Sequence, residues 1–206
     1  MAAIQITDII DTDYFVGEIL LTNKTALLTD INQAINEYGE EILISLLGYS
    51  LYKSMINDST SEPYKSLIEG AEFELTYSGI TQTLKWQGLK NSYYKSLIAY
   101  YVYYKYQERN FIKPGAIGTN KPKAEAGDIV SPYPKMVNAW NRMIQLYGFF
   151  PHYNHYYFSS NNGIIQPDGG LIYDSLPSAY NYMCANIDSF SDWIFTPLRT
   201  INHFGI

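Results

Sequence analysis

The chain has 206 residues and a mass of 23.6 kDa, with 47% hydrophobic residues, 17% charged residues, a net charge of −6 and a single cysteine, Cys184. Charge this sparse beside that apolar content excludes intrinsic disorder and the collagen-like and coiled-coil compositions, and one cysteine excludes an internal disulfide framework or a zinc–thiolate cluster. An acidic balance also argues against non-specific nucleic-acid binding by the whole surface, whereas 21 Tyr against 9 Phe and 3 Trp favours surfaces that become interfaces, because tyrosine buries area and keeps a polar tip.

No apolar run approaches the roughly 18 residues of a membrane span, and the acidic start Asp8, Asp11, Asp13 lacks the basic flank of a signal peptide. The expectation is a soluble protein that is not exported. Residues 1–47 hold Asp8, Asp11, Asp13, Glu18, Asp30, Glu37, Glu40 and Glu41 against Lys24 alone, a balance of −7. From Thr29, Ile31, Ala34, Ile35, Tyr38, Ile42 and Leu46 recur at helical spacing up to Gly48, which predicts a helix over 29–47. Short helices are predicted at 49–57, with Leu51, Tyr52, Met55 and Ile56 apolar, and at 63–70, opened by Pro63. The period then changes to alternation at Phe73, Leu75 and Tyr77, with Ser78-Gly79 as a turn before Ile80–Trp86, which predicts a β-hairpin near 72–87.

The strongest pattern is 92–110, where Tyr93, Leu97, Tyr100, Tyr101 and Tyr104 form one stripe and Tyr94, Ile98, Val102 and Tyr106 widen it. A helix apolar on most of its circumference is surrounded by protein, and part of that surrounding is expected from another subunit. Residues 111–134, punctuated by five prolines and glycines between Pro114 and Gly127 and by Pro132 and Pro134, read as a long loop of net positive charge. A helix is predicted at 134–147, with Val137, Trp140, Ile144 and Tyr147 on one face. Beyond it the expectations are a hairpin or extended arm at 155–174, a short helix at 175–187 and an extended 193–206, so that 149–206 forms an aromatic-rich C-terminal arm on a 1–148 helical domain.

Motifs for chemistry are weak throughout. His152 and His155, with His203 the only other histidine, lack the further ligands and supporting hydrogen bonds of a metal site and read as aromatic packing residues. Asp11-Thr12-Asp13 opens like a calcium loop but lacks its glycine and closing glutamate, and Gly115-Ala116-Ile117-Gly118 is not followed by Gly-Lys-Ser/Thr. Cys184 has no base nearby in sequence and reads as a buried helix cysteine. Neither a metal nor a cofactor is implied, and no nucleophile or paired-carboxylate signature points to an enzyme. Tyrosines beside Lys95 and Lys105 suit base or sugar stacking in principle, but helical spacing explains them as core and interface.

Certain strings carry a resemblance in order along most of the chain. Leu46-Leu47-Gly48-Tyr49-Ser50-Leu51-Tyr52-Lys53, then Trp86-Gln87-Gly88-Leu89-Lys90, the helix Ile98–Tyr106, Lys135-Met136-Val137-Asn138-Ala139-Trp140-Asn141 and the ending Ile201–Ile206 resemble the head-to-tail connectors of tailed phages of Bacteroides-type hosts, including the crAss-like phages. The resemblance implies a mainly α helical bundle of the connector type with an inserted β-hairpin and an extended, partly β C-terminal arm. It also implies a virion neck protein, assembled in the host cytoplasm as an adaptor ring, typically dodecameric, below the portal, through which the genome passes.

On that reading Tyr94, Tyr101, Tyr104 and Trp140 meet neighbouring subunits. Lys121, Lys123, Tyr153, Tyr156, Tyr157 and Phe158 reach the portal or an adjacent neck or tail ring protein. Asp11, Asp13, Glu40 and Glu41 line the channel, where negative charge lets genomic DNA slide without sequence-specific contact. Two other classes stay open: a carbohydrate-binding or host-attachment module using the tyrosines and 152–170, and a small nucleic-acid-binding protein using the basic 111–135 stretch.

Overall fold

Helical spacing of apolar residues becomes one buried face in α2 (Thr25–Leu47), where Ile31, Ala34, Ile35, Tyr38, Ile42, Leu43 and Leu46 all lose contact with solvent. The computed structural model describes residues 3–21, 25–77, 80–111, 113–115, 118–120, 132–148, 158–159, 163–164, 178–194, 196, 198 and 201. Among them the chain is mainly helical, with α1 (Ile6–Ile9), α2, α3 (Tyr49–Asn57), α4 (Tyr64–Glu69), α5 (Leu97–Phe111), α6 (Tyr133–Tyr147) and α7 (Ala179–Ala185). The strands form three separate antiparallel pairs: β1 (Ala71–Tyr77) with β2 (Ile80–Trp86), β3 (Lys113–Gly115) with β4 (Gly118–Asn120), and β5 (Phe158–Ser159) with β6 (Gly163–Ile164).

The predicted helices at 49–57 and 134–147 and the hairpin near 72–87 therefore stand nearly as expected, and α2 begins before Thr29. Three elements differ. Helix 92–110 starts only at Leu97, because Asn91 and Ser96 capture the preceding backbone in a turn, leaving Tyr93 and Tyr94 outside the helical stripe. The loop expected over 111–134 contains the antiparallel β3–β4 pairing, Lys113 opposite Asn120 and Gly115 opposite Gly118. The helix expected over 175–187 is split: α7 covers only Ala179–Ala185, capped by the Ser178 hydroxyl accepting from the Asn181 N–H, and a 3-10 turn follows at Ile187–Phe190.

Helix α5 lies at the centre, packed against α2 on one side and α6 on the other. Its first two turns, Leu97 through Tyr103, are buried without a break. The apolar circumference that suggested a neighbouring subunit is thus satisfied for those turns within one chain. The N-terminal segment contributes Ile6, Ile9, Ile10, Tyr14, Phe15 and Ile19 to the same core, an element not anticipated from the sequence.

The arm expected over 149–206 is also revised where it is described. Ala179, Tyr180, Tyr182, Met183, Phe190 and Trp193 belong to the core of the helical domain rather than extending from it. Trp193 donates its indole N–H to the carbonyl of Leu46 at the end of α2 (3.0 Å), a bond spanning most of the chain, and packs edge-on against Tyr180. Cross-strand partners Phe73 and Leu84, with Ala71 and Trp86, form the inward face of the hairpin. Tyr182 of α7 fills that face, edge-on to Phe73 and stacked on Trp86.

The hairpin is tied to α4 where two glycines approach each other's backbone. Gly70 and Gly88 both have positive φ (93° and 86°), and a Cβ on Gly88 would sit 2.5 Å from the Ile68 carbonyl oxygen. That proximity lets Lys90 donate its N–H to Ile68 (2.8 Å) and lets the Trp86 indole donate to Leu67 (2.9 Å). Gly88→Ala meets both a left-handed backbone and a backbone collision, so it should destabilise the fold by about 3 kcal/mol and lower Tm by roughly 10 °C in a thermal melt, whereas Gly17→Ala, with open space around its Cβ position, should cost about 1 kcal/mol.

Candidate functional site

Burying tyrosines leaves hydroxyls that need acceptors, and the acidic first third of the chain provides them. The Tyr101 hydroxyl donates to Glu41 Oε1 at 2.7 Å, joining α5 to α2. One residue earlier, the Tyr100 hydroxyl donates to Glu18 Oε1 at 2.8 Å, joining α5 to the N-terminal segment. Burial first, and then the neighbouring carboxylate, raises both phenols well above the usual tyrosine range. Tyr52 of α3 is raised too, by burial first and then by the nearby Glu40 carboxylate.

Along the same α2–α5 seam Arg109 lies 3.9 Å from Glu37, and Lys105 and Arg109 both sit over the Tyr38 ring. Lys105 also pairs with Glu108 on its own helix at 3.3 Å. These exposed pairs contribute little individually, about 0–1 kcal/mol each. The partly buried Tyr–Glu bonds tie α5 to α2 and to the N-terminal segment.

These contacts place the sequence-derived candidates. Tyr101 is internal, so its assignment to a subunit interface does not hold: its ring packs on Trp140 (6.2 Å) and its hydroxyl is committed to Glu41. Tyr104 and Trp140 pack together at 5.2 Å and are only half-buried, so this pair keeps an outward face. Tyr94 is 45% exposed at the other end of α5, edge-on to Tyr14.

Of the channel candidates, Asp11, Asp13, Glu40 and Glu41 are all exposed. Asp11 caps the 3-10 turn at Thr12–Tyr14 by accepting from the Asp13 N–H, and Glu41 is an acceptor for the core, so neither is a purely free surface charge. Lys121, Lys123, Tyr153, Tyr156 and Tyr157 lie outside the described residues, as do His152, His155 and His203, and Phe158 is described only as backbone in β5.

Two clefts were not legible in the sequence. The first lies between the N-terminal segment and α6, lined by Glu18, Lys95, Tyr100, Asn138, Arg142 and Gln145. There the Arg142 guanidinium stands 3.9 Å from Glu18 and donates to Gln145. At its edge the Asn141 amide holds Ile201 of the C-terminal segment, donating to its carbonyl and accepting from its N–H (2.9 and 3.0 Å). The second cleft, lined by Glu62, Pro63, Ser66, Glu72, Tyr182 and Asn186, opens where α4, β1 and α7 meet. Neither combination has a signature in sequence, because each draws on residues more than 120 positions apart.

Cys184 is half-buried, and burial pushes its thiol up, away from the reactive thiolate. Among the described residues no three His, Cys, Asp or Glu side chains are grouped to hold a metal, and no helix is long and apolar enough to cross a membrane. No protein-family model, no curated protein and no solved structure matches the chain.

The Tyr101→Phe substitution removes only the hydroxyl, so it should cost about 1.5 kcal/mol in denaturant unfolding and slightly less if Glu41 can turn to water. A wider test follows from the raised phenols Tyr14, Tyr52, Tyr100, Tyr101, Tyr103 and Tyr106. Their folded pKa values exceed the unfolded value near 10, so the unfolded chain loses protons first and the stability they contribute is present below about pH 10 and lost above it. Unfolding free energy should therefore fall steeply above pH 10, with the tyrosinate absorbance of the buried set appearing together with loss of helical circular dichroism.

Proposed function

We propose that the chain is a structural, non-catalytic subunit that assembles with copies of itself into a connector ring of a phage neck, joining the portal to the tail. The observation that carries this reading is the order of elements around the resembling strings. An acidic helix ends at Leu47-Gly48, a hairpin closes on Trp86-Gln87-Gly88, and a central tyrosine helix and an α6 containing Met136–Asn141 follow. A helical bundle with an inserted hairpin is what the resemblance implies.

The described surface supports an assembling protein in a second way. Val16, Leu20, Tyr49, Tyr93, Tyr94, Ile187 and Ile194 are exposed apolar or aromatic residues, in keeping with surfaces that meet other protein. In this reading the carboxylates Asp11, Asp13 and Glu40 face the channel and keep DNA from adhering, with Glu41 serving the fold instead. The portal and an adjacent ring are the partners, and the virion neck is the location.

The mass of the purified chain in solution, alone and with the portal encoded in the same genome, tests the proposal. The expected result is a ring-sized particle alone, or a monomer that adds in many copies to the portal. A strict monomer that ignores the portal would overturn it, and glycan binding by that monomer would move the assignment to a host-attachment module.

A further inference from the structure

Two exposed features on separate elements have matching chemistry. The first is the turn at residues 91–95. The Asn91 carboxamide accepts from the N–H groups of Tyr93 and Lys95 (3.1 and 3.2 Å) and donates to the carbonyls of Lys95 and Gly88 (2.8 and 3.4 Å). From the core side, the Tyr14 hydroxyl accepts from the Asn91 N–H (2.9 Å) and donates to the Asn91 carbonyl (3.1 Å).

This bracket holds Tyr94 at φ 55°, a left-handed conformation that a bulky side chain adopts only when its surroundings force it. Beside it Tyr93 is 67% exposed, and Lys90 and Lys95 add two exposed positive charges with no acidic residue between them. A backbone turn fixed before binding spares the cost of ordering it, which suits an interface anchor.

The second feature is the cleft of about 330 Å³ at the junction of α4, β1 and α7. Tyr182 forms its floor, fixed among Phe73, Trp86 and Phe190 with ring centroids 5.5, 6.4 and 6.0 Å away. Glu62 and Glu72 form its rim, both exposed. Glu72 stands opposite Lys85 in the hairpin register, yet among the described residues neither carboxylate is in an ion pair. An aromatic floor with carboxylate acceptors at the rim is an environment this chain already uses for tyrosine, at Tyr100 with Glu18 and Tyr101 with Glu41.

We infer that the Tyr93-Tyr94-Lys95 turn of one copy inserts into the Glu62–Glu72–Tyr182 cleft of a second copy, the Tyr93 hydroxyl donating to a rim carboxylate and Lys95 neutralising the other. The two surfaces differ, so the contact is head-to-tail, the type that closes into a ring when the rotation between copies divides the circle. It rests on the self-assembly proposed above and names the surfaces that would carry it.

The test uses two full-length variants, one with Tyr93→Ala and Lys95→Glu and one with Glu62→Ala and Glu72→Ala. All four side chains are exposed, so unchanged thermal melts are expected. Sedimentation, with the portal present if the free chain needs it to assemble, should show each variant alone associating at least about tenfold more weakly than wild type. Mixed in equal amounts they should stop at a dimer, because only one intact turn and one intact cleft meet. Variants that assemble like wild type, or a mixture that stays monomeric while wild type assembles, would overturn this contact and leave the ring reading standing. A wild-type chain that never associates would overturn both.

Discussion

The structure depends on burying α5. Seven consecutive residues, Leu97–Tyr103, lie inside the protein, and three of them are tyrosines. Enclosing such a helix yields the large apolar gain of aromatic burial, but a phenol taken from water without a partner gives part of that gain back. For Tyr100 and Tyr101 acceptors wait in the fold, and Glu18 and Glu41 are those acceptors. The acidity of residues 1–47 therefore has a use inside the fold besides any outside it.

Placing those acceptors explains much of the remaining architecture. Glu41 comes from α2, which must lie along α5. Glu18 comes from an N-terminal segment that crosses to α5 and brings Ile6, Ile9, Ile10, Tyr14 and Phe15 into the core. Tyr14 in turn reaches the Asn91 backbone and shapes the turn from which α5 starts. The Trp193 indole bonds to Leu46 and the Asn141 amide holds Ile201, so that segments distant in sequence close over the bundle.

For function, this leaves a division between tyrosines used up by the fold and tyrosines still available. Tyr101 is committed internally, the Tyr104–Trp140 pair is half-committed, and Tyr93 and Tyr94 are held outward by a network that fixes their backbone without covering their rings. An assembling protein needs both sets, because an interface anchor must be rigid before it binds if binding is not to be spent on ordering it. The same division separates the carboxylates, with Glu41 internal in its bonding and Asp13 and Glu40 facing solvent.

Local periodicity was enough to read α2, α3, α6 and the β1–β2 hairpin from the sequence, since each has a one-sided apolar pattern and a glycine or proline at its boundary. The start of α5 was illegible because its apolar pattern runs on through Tyr93 and Tyr94 while a single asparagine side chain, bonding locally, takes the backbone out of the helix. The role of the tyrosines was half legible: their number announced interfaces or a polar-tipped core, but nothing in their spacing tells which hydroxyls find a carboxylate. The two clefts and the Tyr–Glu pairs join residues dozens of positions apart, so they exist only once the chain is folded. Local propensity and hydrophobic period determined which segments are helix and which are strand; the packing of distant segments, which brings Glu18 and Glu41 to the hydroxyls of Tyr100 and Tyr101, decided which of their side chains face the core and which stay exposed.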